Sequence, residues 1–338
     1  MDFTYRFYAV EGIQAGKKYY IAMIPLKLIS KILSTDTDDV LPEYRAQRRI
    51  NELRIPEIKD YILKNRENYV FSALSASIDG DFSFDVISGK VGVLEIDMSA
   101  TLLINDGQHR KAAIVQALEE DPTLGEETIS VVFFEDGGLK KSQQMFTDLN
   151  KHAVKTSNSL ATLYDSRDNL AVFTKNMINE IDFLKKYTDK ERDILGKNSS
   201  KLFTLNTIYK ANQKIFLSKD LEENDYLFLV DYWKNVVRNI NEWNELINKD
   251  ITKKDLRENY VITLSIVIIA FGKLGRFFYE NQHINFQEML LNLKFIDWSR
   301  SNEQWKGTII RDNGKVINSE ETINLTCNLI KQLIINKN

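Results

Sequence analysis

At 338 residues the chain is long enough to build two modest hydrophobic cores. Its 43% hydrophobic and 28% charged content excludes a disordered polymer, and 45 basic against 48 acidic residues, a net charge of -3, exclude a uniformly basic nucleic-acid coat while leaving a local basic face open. Cys327 is the single cysteine and His109, His152 and His283 are the only histidines, which excludes disulfide frameworks and cysteine-rich zinc knots.

The start, Met1 to Arg6, has no basic region leading into an apolar stretch, so it does not read as a secretory signal. Strands are expected at Tyr5–Val10 and Lys18–Met23, joined across Gly12 and Gly16, and Pro25 is placed to open a helix through Leu33. After the polar stretch Ser34–Asp39 come two expected helices, Tyr44–Leu53 and Pro56–Lys64. Val70–Ile78 and Asp81–Val86 alternate around Asp79-Gly80, the pattern of a hairpin. Thr101–Asn105 reads as a short buried strand, Gly107 opens a helix, Thr128–Phe134 is another strand, and a helix follows from Leu139 to about Leu149.

Beyond residue 160 the period is helical: Asn169–Leu184, Thr204–Phe216, Leu221–Ile247, Lys253–Tyr279 and Ser319–Ile335, the last with Ser319 as N-cap. All four prolines lie in the first 122 residues and nine of fourteen glycines before residue 139, so turns concentrate there and long helices afterwards. A boundary falls near residues 152–160, dividing a mixed α/β domain, 1–155, from a mainly helical one, 156–338. The longest apolar run, Tyr260–Phe271, is shorter than the about 20 residues a bilayer requires, and reads as core or dimer-interface material. A cytoplasmic protein with no membrane partner is the expectation. Trp298 and Trp305 suit either the core or base stacking, the core being the commoner use.

The densest chemistry is Asp106-Gly107-Gln108-His109-Arg110, where an apolar strand ends and a helix begins at once. Such a junction presents unpaired N–H groups and is a ready anion site. Gly107 allows close approach or unusual backbone angles, and Arg110, one turn in, can grip a phosphate bidentately. Asp106 can hold Arg110 or a metal, and His109 can move a proton or touch phosphate. The plain alternative is a helix cap, a turn and a surface histidine. Arg45, Arg48 and Arg49 share one helix stripe, with Arg54 just beyond, and suit either phosphate contacts or a solvated face paired with Glu43 and Glu52. Asp148 and Asn150 close the helix begun at Leu139, either facing the central turn or merely ending the helix.

The five-residue turn resembles, letter for letter, the signature of DGQHR-domain proteins, and the chain resembles the DndB family of DNA phosphorothioation (DNA sulfur modification) systems. Arg45-Ala46-Gln47-Arg48-Arg49 followed by Ile58-Lys59-Asp60-Tyr61-Ile62, Phe146-Thr147-Asp148-Leu149-Asn150-Lys151, the stretch Ser159 to Asp168 and the pair Trp298 and Trp305 carry the resemblance from about residue 40 to the end. More distantly, Gly107-x-x-Arg110-x-x-Ala113 is similar to the phosphate box of the ParB/sulfiredoxin-like fold. The resemblance implies an α+β protein, a ParB/sulfiredoxin-like mixed α/β domain followed by a helical one. It further implies a regulator binding promoter DNA of its own operon, with Arg45, Arg49 and Arg54 as DNA contacts. Gly107, Gln108, Arg110, Asn150 and Arg48 would then bind a nucleoside triphosphate with Mg²⁺. The apolar run Tyr260–Phe271 leaves a homo-oligomer open, and the sequence does not fix the oligomeric state. The alternative is a DNA-stimulated nucleoside triphosphatase using Asp106, His109 and Asp148. A nuclease would need a larger carboxylate cluster than Asp106 and Asp148 provide.

Overall fold

Alternation of apolar and polar residues along the first strands lets one face of a sheet bury against helices. The computed structural model describes residues 3–34, 51–135, 144, 156–218, 220–311, 313, 316–317 and 319–335. It divides into two compact units, Met1–Val154 and Lys155–Asn338.

In the first unit, β1 (Thr4–Gln14) and β2 (Lys17–Pro25) form a hairpin, followed by α1 (Leu26–Ile32), a short 3-10 helix (Glu52–Arg54) and α2 (Ile55–Lys64). Then come β3 (Leu74–Asp79), β4 (Phe82–Ser88), β5 (Val91–Asp97), β6 (Thr101–Asp106), α3 (Gln108–Glu120) and β7 (Thr128–Glu135). The sheet order is β4-β5-β1-β2-β7-β3-β6, antiparallel throughout except for the β3–β7 pair. Phe7 and Ala9 of β1, Ala22 and Ile24 of β2, and Leu94 and Ile96 of β5 point to the buried face, while Tyr8, Val10, Ile21 and Met23 stay exposed on the other. Helix α3 carries the chain from β6 past β3 to β7, burying Ala113, Ile114 and Ala117.

Several expectations are corrected here. Gly12 lies inside β1, and the turn is Ala15-Gly16, both with positive φ, as a two-residue hairpin turn requires. Pro25 is the N-cap of α1 rather than its first residue. Asp79-Gly80 does not close a hairpin: β3 begins only at Leu74 and pairs with β6 and β7, whereas β4 pairs with β5. All residues of β3 except Asp79 are buried, so it takes the interior of the sheet with a neighbour on each side, and its sequence neighbour is displaced. The β5 strand was not anticipated. Of the helix expected at Tyr44–Leu53 only the end is described, as the 3-10 turn Glu52–Arg54. The helix expected at Leu139–Leu149 lies, apart from Gln144, outside the described residues.

The second unit contains α4 (Asn158–Tyr164), α5 (Asn169–Glu180), α6 (Asp182–Tyr187), β8 (Thr188–Asp189), β9 (Phe203–Thr204), α7 (Leu205–Ile215), α8 (Glu223–Arg238), α9 (Asn241–Asn248), α10 (Lys253–Asn259), α11 (Ser265–Glu280), α12 (Phe286–Leu290) and α13 (Glu320–Ile335). Ser319 Oγ accepts from the Thr322 amide at 3.1 Å, as an N-cap should. Three helices expected as continuous are broken, at Ile181, at Asn239-Ile240 and at Tyr260–Leu264. The last break has a clear cause. Tyr260 forms a β-bridge with Ser299, the Val261 amide donates to Trp298 O at 2.9 Å, and the Arg300 amide donates to Asn259 O at 2.8 Å. A tertiary strand-like contact overrides the helical period.

The core of this unit buries all four tryptophans, and the Trp298 and Trp305 rings stack with centroids 5.3 Å apart. Both are thus core side chains, unavailable to bases. Trp233 Nε1 donates to Asn212 Oδ1 at 2.8 Å, and Asn212 Nδ2 to Thr174 Oγ1 at 2.8 Å, so these three buried side chains satisfy one another.

Glu242, in the first turn of α9, is a weak point of the fold. Burial, reinforced by Glu245 and Asp297, pushes its carboxyl from 4.5 up to about 7. The folded state therefore holds a proton the unfolded chain has released, and stability present below pH 4.5 falls as pH rises towards 7. Glu242→Gln should flatten this decline and gain up to about 3 kcal/mol at pH 8. Urea melts of both proteins at pH 5 and pH 8 check it, and an equal gain at both pH values would refute it.

Candidate functional site

The strand-to-helix junction after β6 is built by a bulge and a glycine. Ser75 pairs with Asp106 but Ala76 pairs with Ile104, so Asn105 is the extra residue. It is fully buried and its Nδ2 donates to Ser77 Oγ at 2.6 Å. Gly107 then adopts φ +103, and a Cβ there would lie 2.3 Å from Leu74 Cδ2. Any side chain there is strained: the angle is costly for L residues, and Leu74 would have to shift to make room. The turn re-aims the chain so that Gln108 enters the interior and His109, Arg110 and Lys111 form the rest of the first turn of α3.

Arg110 is held by the protein itself. Its Nη2 donates to Asp106 Oδ2 at 2.6 Å, and its Nη1 to Ser72 O at 2.6 Å, to Ala73 O at 3.0 Å and to Ser72 Oγ. Of the two roles open to Asp106, holding Arg110 is the one seen. The guanidinium clamps the segment entering β3 to the start of α3. Its Nη2 also lies beside Gly107, 3.2 Å from where a Cβ would stand.

His109 Nε2 accepts the Asn51 amide at 3.0 Å, so the ring hydrogen lies on Nδ1 in this arrangement. Asn51 in turn caps the 3-10 helix that ends at Arg54, its Oδ1 accepting the Leu53 amide at 3.2 Å. The motif is thereby linked by this hydrogen bond to the segment carrying Arg54, which is exposed. Arg45, Arg48, Arg49, Asp148 and Asn150 lie outside the described residues.

The start of α3 has an unusual charge. No side chain caps it and its first turn contains no acid. The helix dipole favours anions there and disfavours cations by about 0.3–1 kcal/mol each. Arg110 is neutralised by Asp106, but Lys111 forms no ion pair among the described residues, and burial pushes its ammonium below the ordinary lysine range. Sequence reasoning missed Lys111. The signal was present, because two consecutive cations in a first helical turn run against the dipole. Among the described residues no group of three or more His, Cys, Asp or Glu is placed to hold a metal ion. Asp106 is committed to Arg110 by their ion pair at 2.6 Å.

Among the described residues no helix is long and apolar enough to cross a membrane. No curated protein and no solved structure matches the chain. A family comparison does: residues 7–336 match DndB, described as DNA-sulfur modification-associated. The match spans both units and includes the whole strand–turn–helix just described, so the chain belongs to the DndB family of DNA-sulfur modification-associated proteins.

Proposed function

We propose that this protein is a DNA-binding transcriptional regulator of a DNA phosphorothioate-modification operon, with DNA affinity set by a nucleotide bound at the start of α3. The observation that carries the reading is the uncapped, acid-free first turn of α3, with half-buried Lys111, in a chain of the DndB family. A phosphate would accept from the leading amides and offset the Lys111 charge. The family's link to DNA modification makes double-stranded DNA the partner, with promoter DNA of its own operon as the target.

The switch follows from the His109–Asn51 hydrogen bond. A phosphate that accepts from His109 Nε2 requires a proton on that nitrogen, which could then no longer accept the Asn51 amide and would release the 3-10 turn that positions Arg54. Arg54, together with Arg45 and Arg49, is the proposed phosphate-contacting set on DNA, and Arg48 and Asn150 the proposed further contacts to nucleotide. Hydrolysis by Asp106, His109 and Asp148 with Mg²⁺ has less support. Asp106 is tied to Arg110, and His109 Nε2 already accepts a backbone amide.

Gel retardation tests the reading. DNA from upstream of the modification operon should bind at least tenfold better than random DNA of equal length, with affinity falling steeply with salt. Arg54→Ala should weaken binding to all sequences and lower the salt slope by about 1. Added nucleotide should shift retardation by the native protein but not by His109→Phe. Equal, weak retardation of every DNA would overturn the proposal, and DNA-stimulated phosphate release abolished by His109→Ala would establish the hydrolase instead.

A further inference from the structure

A second cationic site stands in the helical unit, independent of the DGQHR turn. Between the loop that joins β8 to β9, the start of α7, the end of α10 and the start of α11 lies a cavity of about 360 Å³. Arg257 and Arg300 both line it. Their hydrogen bonds go to backbone carbonyls: Arg257 Nη1 to Gly196 O at 2.9 Å and Lys197 O at 3.1 Å, Arg300 Nη2 to Arg257 O at 3.0 Å and Nε to Tyr260 O at 3.3 Å. Neutral acceptors orient a guanidinium without cancelling its charge. Among the described residues neither arginine forms an ion pair with a carboxylate.

One acid, Asp193, lies in the wall, but its oxygens are turned to α4. Oδ2 accepts from the Asn158 amide and Nδ2, both at 2.8 Å, and Oδ1 from the Ser159 amide at 2.8 Å and Oγ at 3.0 Å. The wall thus carries two positive charges against one occupied negative charge. Burial lowers the Arg300 pKa, as expected for a cation held out of water without a counter-ion. Helix α11 adds to the same sign. It begins at Ser265 on the cavity wall, and its N-cap, Leu264, has no side-chain oxygen to offer the leading amides, its carbonyl taking only those of Val267 and Ile268.

We propose that this cavity binds a small phosphomonoester of nucleotide size, its dianionic phosphate held between Arg257 and Arg300 and its apolar part against Leu195, Leu202 and Phe203. The two guanidinium forks and the helix start match a phosphate better than a carboxylate, which would leave one arginine unbalanced. The volume lies at the small end of ligand pockets, which suits a mononucleotide and excludes a duplex. This site lies in residues 193–300 and does not depend on the DNA-regulator reading, which concerns residues 106–110.

Calorimetric titration of the full chain with AMP, adenosine and inorganic phosphate tests it. AMP should bind at this site, phosphate should compete, and adenosine should bind at least tenfold more weakly. The decisive variant is Ser265→Glu, since Ser265 is exposed and a glutamate at a helix start supports the fold while placing a rival negative charge at the cavity. It should keep the thermal midpoint and weaken AMP at least tenfold. Arg257→Gln/Arg300→Gln should do the same if its midpoint is retained. AMP binding unchanged in Ser265→Glu, adenosine binding equal to AMP, or no AMP binding at millimolar concentration each overturns the proposal, whatever the DNA retardation shows. Loss of AMP binding in Ser265→Glu with DNA retardation intact supports it.

Discussion

Gly272→Ala should destabilise the helical unit by about 2–4 kcal/mol, although alanine is the better helix former. A Cβ at Gly272 would lie 2.0 Å from Ala211 O, 2.7 Å from its carbonyl carbon and 2.9 Å from its Cα. These are backbone atoms of α7 and cannot rotate aside, so α7 and α11 must separate. One turn on, a Cβ at Gly275 would meet Tyr232 at 2.9 Å and Ile215 at 3.1 Å, which shows that the close approach extends along the helix pair. Overpacking costs about 1–3 kcal/mol and more when backbone must move, against a propensity gain of about 1 kcal/mol. The clash wins. Gly196→Ala is the control, because nothing lies within 4 Å of its Cβ position. Urea denaturation of both variants decides the matter, and a Gly272→Ala midpoint equal to the control would contradict this packing.

Arg110→Ala should cost about 2–4 kcal/mol in the first unit, because it removes a charged donor from four acceptors at once. The Arg110 side chain is only 17% exposed, so water replaces these bonds incompletely; Asp106, at 41%, is better served. Arg110→Lys should recover only part, since an ammonium cannot span Asp106 and the Ser72–Ala73 carbonyls as a fork does. Thermal melts of the three proteins read the order native, lysine, alanine. A melt unchanged in Arg110→Ala would mean that the clamp is not structural, and the residue would return to the role of a free phosphate ligand. If the clamp holds, loss of DNA or nucleotide binding in this variant reports a displaced β3 entry rather than a missing contact.

These two cases show what could be read along the chain. The junction Leu102–Ile114 was legible because a short apolar run, a glycine and a set of small residues at helical spacing each prescribe local backbone. The same holds for β2, β7, α2 and α13, whose periods match the structure closely. That Asp106 could hold Arg110 was legible as one of two readings; the bonds of Arg110 to Ser72 and Ala73 and of His109 to Asn51 were not. A cation one turn into a helix can face a ligand or fold back, and only Ser72 and Ala73, brought alongside from 37–38 residues earlier, make folding back the better satisfied state. Lys111 was readable as a violation of the helix dipole, but its burial was not.

By itself, then, the sequence determined local backbone preference, which faces turn inward, and membership of a DNA-modification family, because those depend on residue type and period along one segment. Tertiary structure alone decided that β3 takes β6 and β7 as partners instead of β4, that the helix expected from Lys253 breaks at Tyr260 against Ser299, and that Arg257 and Arg300 meet at one cavity. Burial is non-directional: a pattern says that a strand or helix must be covered, and the choice of cover is made by the other segments competing for the same surface. The meaning of Asp106–Arg110 follows the same division, with its turn written in five residues and its hydrogen-bond partners supplied by Asn51, Ser72 and Ala73.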